Sequence, residues 1–152
     1  MNSTPNEAIH KELDLIQSCV NRMANNSFLI KGWMITLIVA LVALLADKVE
    51  VHIIAGLATV VISCFWYLDG FFLKTERLYR LKYDWVVAER PKGNLKNLYD
   101  LNPYNKAMWK EPDHKIGSIA KMMLTKTLIP FYAIPLIIAM AAFIWSLCVS
   151  CL

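Results

Sequence analysis

FLIKGWMITLIVALVALLADKVEVHIIAGLATVVISCFWYLDGFFL, residues 28–73, decides the architecture of this 152-residue chain. Residues 32–46 carry no charge over 15 positions, and Phe28, Leu29 and Ile30 extend the run if Lys31 reaches the interface. Asp47, Lys48 and Glu50 interrupt it, and residues 51–68 then run 18 positions without a formal charge. A membrane-crossing helix needs roughly 17–25 mainly apolar residues. Two such runs joined by so short a break predict a transmembrane helical hairpin. The alternative, two buried core helices of a soluble protein, would need more polar chain to cover them than is present.

Working outward, residues 127–152 form a third apolar run, 26 positions long and free of charge. With 57% hydrophobic residues and a mean hydropathy of +0.43, the composition is that of a small integral membrane protein with one modest polar lobe. The expected fold class is all-α: a transmembrane hairpin (28–73), a third C-terminal transmembrane helix (127–152), an N-terminal amphipathic helix (1–27) and a basic segment (74–126). Glu7, Lys11, Glu12, Asp14 and Arg22 break up the first 27 residues, so no secretory signal is expected there and the first hairpin helix should direct insertion.

The N-terminal segment opens on Thr4-Pro5-Asn6-Glu7, a helix-capping pattern with proline at the first helical position. Ile9, Leu13, Ile16, Val20 and Met23 then recur at spacings of four, three, four and three, one apolar stripe with Lys11, Ser18 and Arg22 opposite. Such a helix lies on a membrane surface or packs on the protein's own polar lobe. Asn25-Asn26-Ser27 either caps a fresh helix or marks a bend.

Inside the spans, Gly32, Thr36, Ala40 and Ala43 make a stripe of small residues on one helix; His52, Gly56, Thr59, Ser63 and Gly70 make another. Small residues let helices approach closely in lipid. Thr36, Thr59 and Ser63 serve helix packing or line an aqueous path; the second reading requires several copies, because three helices enclose no pore. Lys31 lies 18 residues before the turn centre and Asp69 lies 20 after it, so at ~1.5 Å per residue both reach nearly the same depth. Either they pair between helices, or each marks the interface with Lys31 snorkelling outward.

Beyond the second span, Leu78, Leu81, Trp85 and Ala88 continue a helical stripe, and Glu76, Arg80 and Asp84 alternate in sign at i,i+4. Pro91 and Gly93 should end this helix. Residues 90–121 should form loops with one or two short helices, one of them running from Pro103 and anchored by Trp109. Pro130 and Pro135 fall in the first half of the third span. Twelve of the 16 Lys and Arg residues lie in 74–126 against six acids, whereas the 47–50 turn has one Lys and two acids. The positive-inside tendency therefore predicts a multi-pass inner-membrane protein with a cytoplasmic N-terminus and 74–126, and the turn and C-terminus outside.

No constellation for catalysis is evident. His10, His52 and His114 are scattered, and the Cys148-x-x-Cys151 pair sits in an apolar helix end without a histidine, which favours two small buried residues over a redox or metal pair. Cys19 and Cys64 read as structural. No glycine-rich phosphate loop is present, so neither enzyme activity nor a cofactor or metal is expected. Basic and aromatic residues do interleave: Arg77, Tyr79, Arg80, Lys82, Tyr83 and Trp85, then Lys96, Tyr99, Tyr104, Lys106, Trp109 and Lys110. That pattern suits single-stranded nucleic acid or a nucleotide, and equally suits topology and anionic lipid.

Two stretches carry a family resemblance. Asn21-Arg22-Met23-Ala24-Asn25-Asn26-Ser27-Phe28-x-x-Lys31-Gly32-Trp33 leads into the first span, and Asp69-x-Phe71-Phe72-Leu73-x-x-Glu76-Arg77-x-Tyr79-Arg80 leaves the second. Together with Lys126-Thr127-x-x-Pro130-Phe131-Tyr132, they resemble small prokaryotic membrane proteins of defence-associated type. The architecture is similar to the SLATT-like two-helix effectors of nucleotide-signalled anti-phage systems, the channel effector of the Hailong system among them. The third apolar segment departs from their plain two-span pattern. The resemblance implies an oligomeric channel or membrane-disrupting protein of abortive infection, a homo-oligomer of four copies or more. It also implies gating by single-stranded DNA or a nucleotide, the product of a partner nucleotidyltransferase. Lys11, Arg22, Arg77, Arg80 and Lys82 are the expected ligand-binding residues. The alternative is a non-conducting scaffold that recruits a cytosolic partner through 74–126.

Overall fold

The computed structural model describes residues 5–105 and 116–150. Regular structure within them is helical, with no strand among the described residues: α1 (Pro5–Leu45), α2 (Val51–Glu89), a 3-10 turn at Arg90–Lys92, α3 (Ile119–Met123) and α4 (Leu128–Ser150). Helices α1, α2 and α4 are each long and apolar enough to cross a membrane. The short helix expected from Pro103 does not start there, since Pro103 and Tyr104 form a turn. Trp109, with Lys106 and Lys110, the cap expected at Thr4, and Cys151 lie outside the described residues.

The described chain divides into two compact units: a span unit, residues 27–71 and 119–150, and a polar unit, residues 5–26, 72–105 and 116–118. In the span unit, α1 and α2 are joined by a tight turn in which the Lys48 and Val49 amides donate to the Leu45 carbonyl at 3.0 and 3.1 Å. Helix α1 runs through Asn25-Asn26-Ser27 without a break. Local turn preference yields there to tertiary partners, foremost the bond from Ser27 to Asp69. Ile54, Ala55, Ala58, Ile62 and Asp69 form the buried side of α2 in this unit. From Ala55 onward their steps of three, four and seven keep them on one helical face, with Ile54 beside it. Gly70 lies under α3, where an added Cβ would stand 2.8 Å from Met123 Cγ. Trp66 Nε1 donates to the Met123 carbonyl at 3.0 Å and so closes the same contact. Pro130 falls in the first turn of α4, where its missing N–H has no helical partner to lose; Pro135 lies inside the helix.

In the polar unit, Ile16, Cys19 and Val20 of α1 pack with Tyr79 and Val86 of α2, flanked by Leu13, Met23, Tyr83, Trp85 and Leu101. The N-terminal stripe is therefore covered by protein. Pro91 and Gly93 end α2's run as their residue types dictate: Gly93 adopts φ 81°, and its amide donates to the Arg90 carbonyl at 3.0 Å.

Candidate functional site

Two buried polar networks stand out, one in each unit. In the span unit, Asp69 is fully buried and draws together three helices. Ser27 on α1 donates to its Oδ1. Lys31, one turn further along α1, places Nζ 2.5 Å from Oδ2, and the Tyr132 hydroxyl on α4 donates to the same oxygen at 3.0 Å. Lys31 also donates to the Ser27 carbonyl at 3.1 Å and to its Oγ at 3.0 Å. Aromatic rings cover the cluster: Trp66 stacks on Tyr132 at 6.0 Å between centroids, and the Lys31 ammonium lies 5.9 Å from the Phe131 ring centre.

This arrangement balances charge in a place where water is scarce. A lone carboxylate there would be costly, and the ammonium, hydroxyl and phenol together supply three donors to its two oxygens. The donors of Lys31 and the proton of Ser27 are all directed inside the network, so its chemistry is that of a latch between α1, α2 and α4.

The polar unit is built around Arg90 and Glu12, with both side chains fully buried. The guanidinium meets the carboxylate in a two-point pair, Nε to Oε2 at 2.8 Å and Nη2 to Oε1 at 2.7 Å. Its remaining donors reach the carbonyls of Asn94, Lys96 and Asn97 at 2.5, 2.9 and 3.3 Å. The Tyr99 amide donates to Glu12 Oε1 at 3.1 Å. Asn97 and Tyr99 take positive φ, 56° and 62°, within the loop that surrounds the guanidinium. The Trp85 ring lies 5.3 Å from the guanidinium carbon.

Neither Glu12 nor Arg90 stands out in the sequence, although a signal for Glu12 exists. It falls three residues after Ile9 and four before Ile16, within the apolar stripe rather than opposite it. Lys82 carries the same mark, four residues after Leu78 and four before Val86.

Among the residues expected to bind a ligand, Lys11, Arg22, Arg77 and Arg80 are exposed. Arg80 pairs with Glu76 at 2.8 Å, and Arg22 donates to Cys19 Sγ at 3.9 Å. Lys82 differs: it is fully buried, donates to the Asn102 carbonyl at 3.0 Å and lies 3.8 Å from Asp100. Its ammonium holds the loop and does not face solvent. The aromatic residues interleaved with these bases also turn inward, Tyr79 into the core and Tyr83 and Trp85 against it. On α2, helical geometry places Arg77 and Arg80 outward and Tyr79, Lys82, Tyr83 and Trp85 inward, while Tyr99 and Tyr104, in the loop beyond, are exposed. Asp100, in the same loop, has its carboxyl held below the usual range, first by the Asn105 side-chain amide and then by the Asn102 backbone amide.

Lys31 and Asp69 are brought together, as described. Thr36, Thr59 and Ser63 donate their hydroxyls to the backbone carbonyls of Gly32, Ala55 and Thr59, four residues earlier, at 3.0, 2.9 and 2.8 Å. Among the described residues no group of acids, histidines and cysteines is arranged to hold a metal ion.

These features are three helices long and apolar enough to cross a membrane and a buried charge cluster among them, which is consistent with a multi-pass helical membrane protein. No family model matches the chain, and no curated protein or solved structure shows significant similarity to it.

Proposed function

We propose that the chain is an oligomeric effector of the inner membrane, a channel or membrane-disrupting protein of anti-phage defence gated by a cytoplasmic nucleotide or oligonucleotide. The observation that carries the oligomer is the outward small face of α1. Gly32, Thr36 and Ala43 are exposed, and a Cβ built on Gly32 meets nothing within 4 Å. Small residues allow close helix approach in lipid, and exposed Gly32 and Ala43 leave room for a further helix, while Thr36 and Ala40 also border Phe65 of α2. A second copy is the natural neighbour. The resemblance to SLATT-like effectors supplies the channel and the nucleotide signal, with exposed Lys11, Arg22, Arg77 and Arg80 as the phosphate-facing set.

Reconstitution into liposomes tests conduction: the expected result is ion flux from protein that cross-links between copies through cysteines at Gly32 or Thr36. Cross-linked oligomers without flux would replace the channel by the non-conducting scaffold. The cytoplasmic N-terminus is tested by labelling single cysteines at Asn94 and Ser150 in a background without the native cysteines. Labelling from opposite sides is expected, and labelling from one side overturns the topology. For the ligand, short single-stranded DNA should bind purified protein at low salt and lose affinity after Arg77→Ala and Arg80→Ala. The salt slope should fall by about one for each phosphate that is no longer neutralised.

A further inference from the structure

In the span unit, a cavity of about 400 Å³ opens between α1, α2 and α4. Its floor is Ile54, Ala55, Ala58, Ile62 and Ala139, all buried. Val42, Val51 and Ile138 form its rim and are 47%, 57% and 64% exposed, so the cavity opens sideways, away from the protein. Five of the twelve residues that line it are alanines, which leave room between the larger side chains, and Pro135 stands in the wall supplied by α4.

We infer that this cavity is a binding site for one acyl chain of a membrane phospholipid. Water does not suit it, because a trapped water needs 2–4 polar partners and this wall is apolar. Its length points to lipid. From Ala46 to Ile38 on α1 and from Val51 to Ile62 on α2, the cavity runs roughly 12–16 Å at ~1.5 Å per residue. That is about half of a ~30 Å hydrocarbon core, the depth of a single leaflet, and it begins at the hairpin turn.

The width selects the same occupant. Spread over that length, 400 Å³ is a slot one hydrocarbon chain wide. A helix from a second copy, about 10–12 Å in diameter, does not enter it. The gain comes from contact rather than from leaving water, since atoms lining an unfilled void lack their dispersion partners. The turn carries Lys48 between Asp47 and Glu50, so the headgroup is not selected by charge and the chain is what the site recognises.

The test uses the full chain in phosphatidylcholine vesicles containing a trace of phospholipid with a diazirine on its acyl chain. After irradiation, labelled positions are mapped by mass spectrometry. Labelling at Ala58, Pro135 and Ala139 should exceed that at the outward Val39 and Ile137 several-fold, and should be equal in phosphatidylglycerol vesicles. Ala58→Leu and Ala139→Leu, which fill the floor, should each lower cavity labelling several-fold and leave Val39 and Ile137 unchanged. Uniform labelling in the unmodified protein overturns the inference, as does cavity labelling unchanged by both substitutions, or cross-links between copies mapped inside the cavity. The map of the unmodified protein is decisive alone should a filled variant fail to assemble.

Discussion

Asp69 holds the Lys31 ammonium at 2.5 Å while its own side chain is fully buried and that of Lys31 stays 24% exposed. The pair is thus anchored on its acidic side. Removing Asp69 leaves a cation that can still snorkel toward water, whereas removing Lys31 leaves a carboxylate with no compensating charge. Breaking a buried pair costs roughly 3–5 kcal/mol, and the partial exposure of Lys31 puts this one near the low end. Thermal stability in detergent should therefore fall more for Lys31→Ala than for Lys31→Arg. A double-mutant cycle with Asp69→Ala should give a coupling of at least about 1 kcal/mol, and additive effects would mean that the two residues mark the interface independently. Tyr132→Phe removes one donor to a buried carboxylate and should cost about 1.5–3 kcal/mol.

In the polar unit, Arg90→Ala should be the most damaging single change. It strands the Glu12 carboxylate and three loop carbonyls, a loss of about 3–5 kcal/mol. Arg90→Lys keeps the charge but not the planar fork, and should rescue little. Limited proteolysis of residues 93–105 reads this directly: faster cleavage is expected in both variants, and an unchanged rate would show that the loop holds without the pair.

At Gly70, alanine would press against Met123 Cγ at 2.8 Å and Ile119 Cγ2 at 3.3 Å. Overpacking of this kind costs roughly 1–3 kcal/mol. Met123→Ala in the same chain should recover part of that loss. Failure of the second change to help would place the damage elsewhere than at the packing of α3 on α2.

The depressed Asp100 carboxyl links the loop to pH. A carboxylate whose folded pKa lies below its unfolded value stabilises fully above the unfolded value, ~3.9. That contribution disappears as pH falls through the folded value. Protection of the Asn102 amide, which donates to Asp100, should therefore fall below about pH 4 when exchange is measured against the intrinsic rate at each pH. Asp100→Asn should flatten the dependence, and an equally steep response in that variant would assign the acid sensitivity to another group.

Much of the architecture follows from the sequence by itself. Charge-free runs at 32–46, 51–68 and 127–152 point to helices, because in lipid every backbone N–H and C=O must be bonded internally and a continuous apolar run of this length does so as a helix. Turn and stop positions are legible for a similar reason: Asp47, Lys48 and Glu50 resist burial, while Pro91 and Gly93 limit the backbone whatever surrounds them. The equal depth of Lys31 and Asp69 can be counted from the rise per residue, but depth is only one coordinate. Whether two helices turn their charged faces toward each other depends on rotation about their axes, which side-chain packing sets. Tertiary structure decided that, and added Ser27 and Tyr132 to the pair. It likewise turned Lys82 from a surface cation into a loop anchor and joined Glu12 to Arg90 across 78 positions. Local pattern places a residue on a face of its helix; only packing determines whether that face meets lipid, water or another charge.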